Sequence, residues 1–113
     1  MQGARAGADV DFELDELKRE FLVETEEKVR EIEKALAATR SAESIERISY
    51  LAHQLKGSGG SYGFQGISTH AAALEKSIEA DGAELDANVR KHVDDLRAEI
   101  EARTRELNPT LSP

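Results

Sequence analysis

Residues 1–108 contain no proline; the only two, Pro109 and Pro113, fall at the end of the chain. Proline locks φ and removes a backbone donor, so a proline-free span of this length permits long, unbroken helices. The apolar residues have the matching period. Leu14, Leu17, Phe21, Thr25, Val29, Ile32 and Leu36 recur at steps of three or four, the signature of one helix face. Between them lie Glu24, Glu26, Glu27, Lys28, Arg30, Glu31 and Lys34, with opposite charges often three or four apart. The spacing predicts a first helix over about 11–39. Residues 1–10, small and polar with two glycines, read as a loose N-terminal arm.

Three further segments repeat the pattern. Ser41 or Ser44 caps a second helix with Glu43 or Glu46 in its first turn, and its core stripe is Ile45, Ile48, Leu51, Ala52 and Leu55. It ends near Gly60–Gly63. A third helix, about 64–81, carries Ile67, Ala71, Leu74 and Ile78, and stops at Asp81-Gly82. A fourth, about 85–107, carries Leu85, Val89, Val93, Leu96, Ile100 and Leu107 before Asn108-Pro109, leaving 108–113 as a soft tail. No segment alternates apolar and polar residues over strand length. Four helices joined by short turns make an all-α, antiparallel, up-down-up-down four-helix bundle over 11–107. A chain of 113 residues is one domain of ordinary size, long enough for a single core.

The formal charge of −8 argues against nucleic acid and against an anionic membrane surface as partner. With no cysteine there is no disulfide framework and no thiolate metal site. The first residues have no apolar core of a secretory leader, and no stretch approaches about 18 consecutive apolar residues. A cytoplasmic monomer is the expectation.

The stretch "HQLKGSGGSYG", residues 53–63, breaks the helical economy with four glycines beside a histidine and a lysine. At about 100° per residue, the core stripe of the second helix centres roughly 135° from His53, so the imidazole points outward. Ser49, Lys56, Gly57 and Gly60 lie within roughly 60° of it. Gly57 costs about 1 kcal/mol relative to alanine inside a helix. No core packing requires it, and its effect is to clear the space one turn beyond His53. Lys56, one turn on, can bring its ammonium beside a group carried by the ring, and a dianionic phosphoryl group suits that pairing. A solvated imidazole titrates near ~6.5, so much of it is neutral and nucleophilic at pH 7. Positioning and charge stabilisation dominate phosphoryl transfer, and a partner can supply both.

"AHQLKGSGGSYGF", residues 52–64, resembles the signature of the histidine-containing phosphotransfer (HPt) domains: His-x-Leu-Lys-Gly, a small run, then glycine ten positions after the histidine. His53, Leu55, Lys56, Gly57, Ser58–Ser61 and Gly63 occupy those places. The resemblance implies a bundle that carries a phosphoryl group to or from a receiver-domain aspartate, or accepts one from a histidine kinase, including hybrid kinases. It implies His53 as the phosphorylated residue, through Nε2, and Lys56 as the group that steadies the phosphoryl. Gly57 would keep the approach open and Gly63 would allow the turn into the third helix. No cofactor is expected on this chain, because the Mg²⁺ and acidic pocket belong to the receiver. With no nucleotide-binding motif, a carrier rather than an enzyme is expected. Phe64 follows Gly63 where many relay members carry Ala, and this resembles the phosphotransfer domain of chemotaxis-type kinases.

Other readings stand beside this one. A helical interaction or dimerisation bundle would use the surface and not His53, and a degenerate phosphotransfer fold would serve as an adaptor. A phosphate-cradling loop needs its lysine after the glycines and a preceding strand, and both are missing here. His70 and His92 read as boundary histidines of apolar stripes, and no Glu-x-x-His pair suggests a metal. Ser49, Gln54, Tyr62, Phe64 and Ile67 form the expected docking surface around His53, with Phe64 mostly buried and Tyr62 and Ile67 partly exposed.

Overall fold

The structure, a computed structural model, describes the backbone of residues 2–37, 41–80 and 85–107 and the side chains of 13–37, 41–79 and 88–107. Four helices fill these ranges: α1 (Gln2–Ala37), α2 (Ala42–Ser61), α3 (Gln65–Ala80) and α4 (Leu85–Leu107). Each packs on its neighbour in sequence, and α1 closes onto α4; among the described residues the backbones of diagonal helices do not approach one another closely. Cross-helix partners run in opposite order. Phe21 and Glu31 of α1 meet Tyr62 and Arg47, Arg19 and Glu33 meet Leu107 and Arg97, and Lys56 and Gly59 of α2 meet Glu75 and Ser68 of α3. Adjacent helices are therefore antiparallel, in the expected up-down-up-down bundle. No helix among the described residues is long and apolar enough to cross a membrane.

The core is assembled from the four stripes. Phe21, Val29, Ile32 and Leu36 face Ile48, Leu51, Ala52 and Leu55, with Ile67, Ala71 and Leu74 from α3 and Val89, Val93, Leu96 and Ile100 from α4. Each fully buried large aliphatic side chain contributes about 1.5–3 kcal/mol. Thr25, wholly buried, donates its hydroxyl to the Phe21 carbonyl at 2.7 Å, so no polar group is left unpaired there. Ile45, Ile78 and Leu107 are half-buried, and the Leu85 side chain lies outside the described set.

The first helix differs from its expected form at the N-terminal end. Residues 2–10 belong to α1 and not to a loose arm: without proline, and with Ala4, Arg5 and Ala8 favouring helix, nothing local stops the helix from extending. Leu14 and Leu17, expected in the core, are 46% and 49% exposed. The bundle ends below them, since Arg19 reaches the carbonyl of Leu107 and Phe21 stacks on Tyr62 just beyond α2. Leu22, off the expected stripe, is buried. At the other end of the first connection, Ser41 is the N-cap of α2 and Ser44 answers it in a reciprocal capping box. The tail at 108–113 and the stop signals Asp81-Gly82 and Asn108-Pro109 lie outside the described residues.

Candidate functional site

The turn from α2 to α3 sets the site. Backbone bonds from Tyr62 to Ser58, Gly63 to Gly60 and Phe64 to Gly59 close the helix end. Gly63 has φ +82°, the left-handed region that glycine adopts without strain. The close approach falls on Gly59. A Cβ there would lie 3.0 Å from the Ser68 nitrogen and 3.2 Å from Ile67 Cγ2, so a larger residue would push α3 away by a few tenths of an ångström. At Gly60 a Cβ would meet only Ser68 Oγ, at an ordinary 3.8 Å, and at Gly57 it would meet nothing within 4 Å. Within this turn, space favours glycine at 59 and backbone conformation favours it at 63, whereas Gly57 faces open space.

His53 stands on the outer face of α2 with its side chain 67% exposed. Its Nδ1 lies 2.9 Å from Oε2 of Glu75 on α3. The other oxygen of that carboxylate, Oε1, accepts from Lys56 Nζ at 2.9 Å. One carboxylate, only 16% exposed, therefore ties the histidine and the lysine to the neighbouring helix. Sequence reasoning missed Glu75. The Lys56 hydrogen bond, opposed by partial burial and assisted by His53, holds the Glu75 carboxyl below its usual range, so it is ionised at neutral pH. An ionised carboxylate only accepts; facing Nδ1, it places the proton of a neutral ring on Nδ1. The lone pair is then on Nε2, the far nitrogen. Lys56 spends one of its three ammonium protons on Glu75.

The rest of the expected surface separates into two groups. Ser49 and Gln54 are half-buried on α2, and Gln54 Nε2 donates to the Tyr50 hydroxyl at 2.9 Å. Tyr62 and Phe64 plug the bundle end, stacked on Phe21 with ring centroids 4.5 and 5.7 Å apart, Tyr62 keeping the greater exposure. Ile67 does not belong to a docking surface: it is 0% exposed. Its place in the α3 stripe, one turn into the helix, outweighs its nearness to the turn. His70 and His92 are half-buried on α3 and α4, and no group of three His, Asp or Glu residues among the described ones could hold a metal. A hollow of about 210 Å³ lined by Val29, Arg97, Ile100 and Thr104 belongs to α1 and α4, away from His53. The ring stands on an open surface, which suits a macromolecular reactant better than a small one.

A protein-family model described as Hpt domain matches residues 16–105. No curated protein and no solved structure matches the chain.

Proposed function

The chain belongs to the Hpt domain family, and from that premise we propose that His53 is its phosphorylated residue and a receiver-domain aspartate its reactant. Domains of this family carry phosphoryl groups on histidine in phosphorelays, exchanging them with receiver domains and histidine kinases. The observation that carries the assignment is one ring: 67% exposed, tied through Nδ1 to Glu75, with open space at the Gly57 position one turn on.

The chemistry follows from that orientation. The Nε2 lone pair attacks the phosphorus of the receiver's aspartyl phosphate. A nitrogen–phosphorus bond forms as the phosphorus–oxygen bond breaks, and the aspartate leaves as carboxylate with its electron pair. Nδ1 keeps its proton, so the ring gains positive charge while Glu75 faces it. Preorganised charge of this kind stabilises the transition state without rearrangement. Lys56 keeps two ammonium protons not used by Glu75, and in this reading they meet the phosphoryl oxygens. The reverse sequence returns the group to a receiver. The metal and acidic pocket belong to the receiver, and this chain supplies nucleophile, tautomer and cation.

Incubation with a receiver charged by acetyl phosphate should label the protein with acid-labile, alkali-stable phosphate. His53→Gln should abolish the label. Equal labelling of that variant would refute the assignment of the nucleophile.

A further inference from the structure

We propose that Tyr50 is the residue with which this chain selects among receiver domains, an inference that rests on the phosphotransfer reading of His53. Tyr50 precedes His53 by three residues and lies about 60° round the helix from it; Lys56 follows by three, about 60° to the other side. The two flanks of the histidine are chemically different. The α3 flank carries the Glu75 carboxylate and the Lys56 ammonium. The α1 flank carries an aromatic ring that is 52% exposed.

That ring is fixed in place. Gln54 Nε2 donates to its hydroxyl at 2.9 Å. The Arg47 guanidinium lies 5.5 Å from its centroid. Arg47 in turn is held by Glu31 of α1 at 2.9 Å. Phe21, Tyr62 and Phe64 are stacked together at the end of the bundle, whereas Tyr50 stands apart from them beside the nucleophile. A tyrosine positioned in advance loses little freedom when covered, and tyrosine and arginine are the types that dominate interface energies.

Transfer forces a partner over this ring. The donor aspartate must come in line with Nε2, and a stable protein interface covers about 800 Å² on each side. Side chains three apart on a helix stand only about 5–6 Å apart at Cβ, so any receiver that reaches His53 also covers Tyr50. On the α3 flank the Lys56 ammonium, held by Glu75, reads the phosphoryl group, which every receiver carries. The Tyr50 flank reads protein surface, which differs between receivers. The partner that fits is a receiver with an apolar recess beside its phosphoaspartate.

The test uses the whole chain and a panel of receiver domains from the same genome, each charged with acetyl phosphate. Wild-type transfer identifies the preferred receiver. With that receiver, Tyr50→Ala should raise KM about tenfold or more and change kcat less than about twofold. It should also flatten the ranking across the panel. Tyr50→Phe keeps the ring and should restore KM to within about threefold of wild type. Tyr50→Lys, a good helix former without a ring, should repeat the alanine result. An unchanged KM in Tyr50→Ala, or an equal loss with every receiver, overturns the selection role. Phosphoramidate provides a partner-free control on the wild type. Normal wild-type transfer with an unchanged ranking in Tyr50→Ala overturns this inference alone, label on His53 from phosphoramidate but from no receiver overturns the receiver reading with it, and no label from either source overturns the assignment of His53 as well.

Discussion

Glu75 joins the two residues on which the chemistry depends. It fixes the His53 proton on Nδ1 and holds the Lys56 ammonium near the ring. Glu75→Gln retains the size but replaces the carboxylate with an amide, which can accept from or donate to Nδ1. Both neutral tautomers then become acceptable, and the offset to positive charge on the ring is lost. Transfer from a charged receiver should slow by about tenfold, a change of about 1.4 kcal/mol in barrier. Nitrogen NMR of the His53 ring should show mixed tautomers where the wild type shows one. A single Nδ1–H tautomer in the variant would show that Glu75 does not set the proton's place. The pH dependence has a definite sign. The folded-state pKa of Glu75 is depressed, so the stability it contributes is present above its unfolded value and is lost as pH falls through the folded one. The tie should persist through neutral pH and fail in the acid range, and Glu75→Gln should lack that acid loss in urea unfolding.

The α2–α3 pair contains two glycines two residues apart that do opposite things. Gly57 faces open space, and Gly59 faces the backbone of Ser68. Gly57→Leu should leave helical content intact and raise stability slightly, since glycine costs about 1 kcal/mol in a helix interior. It should slow transfer strongly by shielding Nε2; equal rates would remove the access argument. Gly59→Ala has the same propensity gain, but its methyl meets a backbone nitrogen that cannot swing aside. A net loss of about 1–3 kcal/mol is expected from urea midpoints, the usual range for overpacking. The contrast also shows what the sequence could reveal. Helix number, order and core stripes were legible because a 3.6-residue period is a local property. The outward angle of His53 was legible for the same reason. Glu75 was not, since it lies 22 residues from His53 and meets it only after α3 folds back on α2. Gly59 was hidden in a run of small residues for the same cause. Leu14 and Leu17 kept the core period although no partner helix reaches that far along α1, and periodicity alone does not show where a bundle ends.

At the scale of the molecule, the balance of 23 acidic against 15 basic residues acts on stability independently of the site. The ion pairs on the surface, Arg30–Glu26 and Arg47–Glu31 among them, are well exposed, and pairs of that kind contribute about 0–1 kcal/mol each. Arg97 with Glu33 is better sheltered and binds through two nitrogens, which raises the arginine's pKa and fastens α4 to α1. Against these attractions stands a net charge of −8 held in a narrow bundle. Self-repulsion of like charge destabilises a compact state. Salt shortens the Debye length from about 10 Å at 0.1 M to about 3 Å at 1 M and weakens both effects. The repulsion sums over many distant pairs, while the attractions are short contacts that screening weakens less. Adding 1 M NaCl at pH 7 should therefore raise the urea midpoint. Near pH 5, close to the sequence pI of about 4.9, net repulsion disappears and the same salt should give a much smaller gain. That difference separates screening from any general strengthening of apolar burial by salt, which operates at both pH values. A fall in the midpoint with salt at pH 7 would show instead that the ion pairs outweigh the net charge, and Arg97→Ala should then abolish most of the salt sensitivity.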